Sequence, residues 1–149
     1  MKLYNHRRNI LSEKAAPKTK VQSGSIVRFS YTGKNVHDNQ PLALVLHPRW
    51  QGKMHALNLN YIPETVLKSL WKTVQITVQG RLQRLLKLRL PLLKADIGNP
   101  KAFYYSRLKG FLKGKLGSTN IAYRTYNLGG IGGLRVVDYR FEGSGWKAK

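Results

Sequence analysis

The chain has 149 residues, enough for one domain that buries a modest core without cross-links. It contains no cysteine, which excludes a disulfide framework, thiolate zinc sites and thiol catalysis, and which accords with a reducing cytoplasm. Twenty-seven Lys and Arg against six Asp and Glu give a formal charge of +21, a self-repulsion that makes a polyanion the expected partner; solubility alone explains it less well, because Glu serves that end as well as Lys.

Residues 1–24 read as a basic arm. Lys2, Arg7, Arg8, Lys14, Lys18 and Lys20 face only Glu13, and Pro17 and the Ser23-Gly24 pair break any regular element. Such a segment is expected to order only against an anion. The opening residues lack the apolar centre of a signal peptide, and no apolar run reaches the ~18 residues of a membrane-spanning helix, so the expectation is a soluble, unprocessed chain with no membrane partner.

From Ser25, "SIVRFSYT" sets Ile26, Arg28 and Ser30 against Val27, Phe29 and Tyr31, the period of a half-buried strand. "GKNVHDNQ" is turn-rich. "PLALVLHP" is a short, nearly continuous apolar run between Pro41 and Pro48, which suits a buried strand, and "MHALNLNYI" alternates again beyond the turn at Gly52. These three segments predict an antiparallel meander, with Leu44, Val45, Leu46, Leu57 and Leu59 in one core together with Val136.

Pro63 and Glu64 open a helix that repeats Val66, Leu67, Leu70, Trp71 and Val74 at helical spacing. "TVQITVQ" also alternates, so residues 74–90 are open to a helix or a strand reading. "RLQRLLKLRLPLLK" places Leu82, Leu85, Leu86, Leu90 and Leu93 on one helical face that Arg89 and Pro91 interrupt. Asn99 and Pro100 supply the cap and first position of a further helix, which ends in the Gly114–Gly117 region. "GLRVVDYRFEG" should be a strand that returns to the meander. The predicted fold is therefore α+β: a small, partly open barrel of the SH3-like kind over residues 25–141, with a helical insertion at about 63–116 before the closing strand, and a tail at 142–149 that carries Trp146.

The chemistry-bearing residues are sparse. His47 and His55 bracket a turn and are expected to approach each other, but no carboxylate lies near them to complete a metal site, and His37-Asp38 reads as a loop dipeptide. The six acids are scattered, and Asp138 and Glu142 suit strand partnerships with arginine better than paired acid–base work. "GKLGS" lacks phosphate-loop spacing, and "NLGGIGGLR" lacks the strand and helix of a dinucleotide fingerprint, so it reads as a flexible turn. No cofactor and no metal are expected. The stronger pattern interleaves aromatic and basic residues in "FYYSRLKGFLKGK" and "AYRTYN", where Lys and Arg take phosphates and Tyr or Phe stack or pack. Phe103, Leu108 and Phe111 are assigned to the core. The candidate nucleic-acid or acidic-partner surface comprises Lys2, Arg7, Arg8, Lys18 and Lys20, then Arg81, Arg84 and Lys87 at one-turn spacing, then Arg107, Lys109, Lys113 and Lys115.

"PLALVLHPRWQGKMHALNLNYIPETVLKSL" and "FYYSRLKGFLKGKLGSTNIAYRTYNLGGIGGLRVV" together resemble small basic proteins encoded among the virion-assembly genes of large contractile-tailed double-stranded DNA phages. In that group an apolar strand, a turn and a "GLNLHYLP"-like strand precede a helix, and a "YRTY"-like segment precedes a closing strand. The likeness spans residues 25 to 140, roughly, and departs at the glycine-rich Gly129–Gly133 turn and in the charge. It implies a virion or genome-end-associated component; taken with the charge, the expectation is a non-enzymatic structural component of a phage particle, assembled in the host bacterial cytoplasm within a large assembly, and in contact with other virion proteins and with nucleic acid, double-stranded DNA first, through phosphates. Two alternatives carry their own tests: a ribosome-associated RNA-binding protein, which would copurify with ribosomal particles, and a small-barrel endoribonuclease, which would cleave single-stranded RNA.

Overall fold

In the computed structural model, which describes residues 3–33, 36–70, 98–116 and 122–139, the alternating segments pair as antiparallel strands. They are β1 (Ile10–Ala15), β2 (Ile26–Tyr31), β3 (Leu42–Trp50), β4 (Lys53–Asn58), β5 (Tyr123–Asn127) and β6 (Ile131–Tyr139), in one six-stranded sheet of order β1-β6-β2-β3-β4-β5. The meander β2-β3-β4 and the return of β6 beside β2 match the sequence reading. Two strands were not foreseen. β1 lies within the segment read as an arm and pairs with β6 from Ile10↔Tyr139 to Ala15↔Arg135, and β5 pairs with β4 from Lys53↔Asn127 to Leu57↔Tyr123. Exposed side chains along β1 hide the strand from pattern analysis, because only Ile10 turns toward the core.

Chain connectivity forces this sheet to curl. β5 and β6 are joined by the three-residue 3-10 turn Leu128–Gly130, which reaches at most about 14 Å when extended. In a flat sheet the turn would have to cross four inter-strand spacings, roughly 19 Å. Closure is visible in contacts between β2 and the end of β5: the Asn127 N–H donates to Tyr31 Oη at 3.0 Å, and the Tyr126 ring lies 5.0 Å from both the Phe29 and Tyr31 rings, edge-on. The architecture is an α+β, partly open barrel.

Curling splits the apolar residues between two faces. Val27, Phe29, Ala43, Val45, Met54, Ala56, Tyr126, Ile131 and Leu134 fill the inner face, with Val136 packed against them. Ile26, Leu42, Leu44, Leu46, Leu57, Leu59, Val137 and Tyr139 line the outer face, where the helices cover it. The single core predicted for Leu44, Val45, Leu46, Leu57, Leu59 and Val136 is thus corrected: Val45 and Val136 face inward and the four leucines outward, as period-two alternation in a sheet covered on both faces requires. β6 changes register at a bulge opposite Arg28 and Ser30, where Gly133 takes φ +58, a conformation in which glycine carries no Cβ penalty.

The helices begin where the sequence places them. α1 occupies 64–70, with the Pro63 carbonyl accepting from the Val66 and Leu67 amides at 3.0 Å. α2 spans 100–116 as Pro100–Phe103, a π turn Tyr104–Leu108 and Lys109–Leu116. Asn99 caps it, its Oδ1 accepting from the Ala102 N–H at 3.0 Å. Leu67, Leu70, Tyr104, Leu108 and Leu112 are buried on the outer face of the sheet, with Phe103 and Phe111 packed at its margin. The predictions for 74–93 and for the tail at 142–149 fall outside the described residues.

Candidate functional site

α2 presents two contrasting sides. Its buried side is fixed by Tyr104, Leu108 and Leu112, and its exposed side carries Lys101, Tyr105, Ser106, Lys109, Gly110, Lys113, Gly114 and Lys115. No acidic residue occurs between Asp96 and Asp138 in the sequence, so neither α2 nor β5 contains a carboxylate of its own. The Lys109 ammonium stands 4.4 Å from the centroid of the Tyr105 ring, an attraction between a cation and the electron-rich ring face. From Tyr105 an aromatic cluster continues inward, with Tyr104 edge-on at 5.7 Å and then Tyr123 tilted at 4.7 Å from Tyr104. Tyr123 Oη in turn hydrogen-bonds His55 Nδ1. Burial pushes the Tyr123 hydroxyl up to about 12 and lowers His55, chiefly by desolvation, so both are neutral at pH 7.

Glu13, Glu64 and Asp38 are already engaged elsewhere. Glu13 on β1 meets Arg28 at 3.1 Å and Arg135 at 3.6 Å. These two arginines sit directly opposite each other on β2 and β6, and Glu13 offsets the repulsion between them. Glu64 pairs with Arg8. Asp38 is buried and accepts from Asn58 Nδ2 at 3.0 Å, Asn60 Nδ2 at 2.8 Å and the Gln40 N–H at 3.0 Å. The lysines of α2 therefore have no ion-pair partner among the described residues.

The other predicted binding residues divide by use. Arg7 and Lys20 are exposed, and Lys109, Lys113 and Lys115 lie exposed on α2 with Arg107 in the same helix. Arg8 is exposed but engaged by Glu64, and the Lys18 ammonium donates to the Leu128 carbonyl, closing the turn between β5 and β6. Lys2, Arg81, Arg84 and Lys87 lie outside the described residues. Lys101 and the exposed Tyr105 escaped the sequence reading, although Lys101, Tyr105, Lys109 and Lys113 recur every fourth residue and share a helix side on that ground alone.

A second polar cluster closes one end of the barrel. Asp38, Asn58, Tyr61, Arg124 and Tyr126 line a recess of about 150 Å³ with Tyr31, Val36, His37 and Thr125 at its edge. The Arg124 guanidinium stacks 4.8 Å from the Tyr61 ring centroid, and burial raises the Tyr126 hydroxyl far above its ordinary range. With one carboxylate held by three donors, the arrangement locks the β2–β3 loop to the end of β4; among the described residues no second acid lines the recess to share acid–base work. His47 and His55 do stand opposite each other across β3 and β4, as expected. His47 packs on Trp50 at 5.5 Å and His55 on Tyr123, and among the described residues no group of three metal-ligating side chains assembles.

The chain matches no protein-family model, and neither the curated proteins nor the solved structures contain a significant match.

Proposed function

We propose that this chain is a non-enzymatic structural protein that holds nucleic acid by its phosphates, built on an SH3-like barrel and working as a component of a phage particle. One observation carries the nucleic-acid reading. Glu13, Glu64 and Asp38 are spent inside the fold, while the lysines of α2 stand exposed without a counter-ion among the described residues. In a chain of charge +21 such a surface gains most from a dense line of negative charge, which nucleic acid supplies. The strand order supports the SH3-like reading, since β6 lies between β1 and β2 and a 3-10 turn leads into it. The virion setting rests on the sequence resemblance.

The test is copurification. Protein expressed in bacteria and purified in low salt should elute with nucleic acid, lose it on nuclease treatment or in 1 M salt, and associate with phage particles rather than ribosomes when present in an infected cell. Elution free of nucleic acid at low salt contradicts the binding reading, and cofractionation with ribosomal subunits moves the protein to the RNA-binding alternative.

A further inference from the structure

Phosphate contact explains the lysines of α2 but not the tyrosine among them. Tyr105 is 51 % exposed, the only aromatic side chain among the large apolar residues that the described structure leaves exposed, the others being Leu3 and Leu11. Its neighbour Tyr104 already fills the core position at this level of the helix. The two fall at the start of the π turn Tyr104–Leu108, a rare helical irregularity that is frequent at functional sites.

We infer that Tyr105 is a stacking platform for an unpaired base, and that the ligand of the α2 face is single-stranded nucleic acid. The inference rests on the nucleic-acid reading above and narrows it. Three features fit one another. The ring meets Tyr104 edge-on, and Tyr104 is itself packed at a tilt on Tyr123, so its orientation is held before any ligand arrives. Lys109 covers one face of the ring, Lys101 lies one helical turn before Tyr105 and Lys113 one turn beyond Lys109, so a base that takes that face displaces the Lys109 ammonium toward its flanking phosphate. Lastly, a duplex keeps its bases paired and stacked on each other, so only an unpaired base can use the ring. The lysines serve both kinds of ligand, and the tyrosine separates them.

The experiment measures equilibrium binding of the full chain to a fluorescent oligothymidylate and to a blunt duplex of equal charge over a range of salt, for wild type, Tyr105→Ala and Tyr105→Phe, with each variant's thermal unfolding checked. For the single strand, Tyr105→Ala should lower affinity about ten- to a hundredfold, at every salt concentration and with the slope against log salt unchanged, because no phosphate contact is removed. Tyr105→Phe should keep most of the affinity. Duplex binding should be the same for all three proteins. If wild type binds both ligands and Tyr105→Ala weakens neither, or weakens both equally, the platform is refuted while the phosphate-binding surface stands. If wild type binds neither ligand, the nucleic-acid reading fails, and this inference fails with it.

Discussion

His6 shows how one buried side chain ties the basic N-terminal segment to the fold. It is 2 % exposed, and its Nε2 lies 3.0 Å from the Leu59 carbonyl and 2.8 Å from the Ile62 carbonyl, while the Tyr4 N–H donates to Asn60 at 2.7 Å. Desolvation lowers its pKa; the two carbonyl bonds oppose that shift and the charge of Arg8 adds to it. Unfolded histidine titrates near 6.5, so between the lowered folded value and about 6.5 the unfolded state holds more protons and stability rises with pH. The contribution of His6 is complete above about 6.5 and is lost as pH falls through that window. Denaturant midpoints between pH 7.5 and 5 should decline in wild type and decline less steeply in His6→Asn, which at pH 7.5 should be less stable by ~1–3 kcal/mol for the carbonyls left unpaired. Parallel curves would show that His6 is not held neutral. Gly130 marks a second residue-level constraint, because a Cβ there would lie 2.9 Å from the Tyr31 ring, which is wedged against Tyr126. Gly130→Ala should therefore cost ~1–3 kcal/mol in urea unfolding by overpacking, and an unchanged midpoint would mean that the ring is free to move aside.

Among the elements, β1 separates the account from its sequence reading most clearly. An isolated basic arm would exchange its amides freely, whereas a strand paired with β6 protects every amide that bonds across. Hydrogen exchange on the monomer without any partner should show protected amides within Ile10–Ala15, and uniform fast exchange there would return the segment to an arm. The strands and helices that the sequence did reveal are those whose burial is periodic: Val27 and Phe29 alternating with Arg28, the apolar run of β3, and the Asn99-Pro100 start of α2. β1 and β5 were hidden for a physical reason. They are the edge strands, and an edge strand with few buried side chains is specified by its backbone partner rather than by its own pattern. The polar cluster around Asp38 was illegible for a related reason, since it gathers the β2–β3 loop, β4 and β5, and nothing in the local sequence of His37-Asp38 reports that Asn58 and Asn60 donate to it.

At the scale of the whole molecule, the acids and the bases have different tasks. Glu13 holds two arginines across the sheet, Glu64 anchors Arg8, and Asp38 closes the barrel end, so a small number of carboxylates is consumed in stabilising a strongly cationic fold. What is left over is positive and concentrated, on α2, along surfaces with no internal acid. A fold at this charge repels itself, and a bound polyanion relieves that repulsion while salt competes for the same sites. The most direct measurement is the affinity of wild type and of Lys101→Glu/Lys109→Glu/Lys113→Glu/Lys115→Glu for a duplex of arbitrary sequence, titrated at salt concentrations from 50 to 300 mM. The account predicts a linear fall of log affinity with log salt in wild type, at about 0.9 per phosphate contact, the same for unrelated sequences, and a much shallower, weaker line in the fourfold variant. Affinity that ignores salt, or that survives the four reversals undiminished, would contradict it.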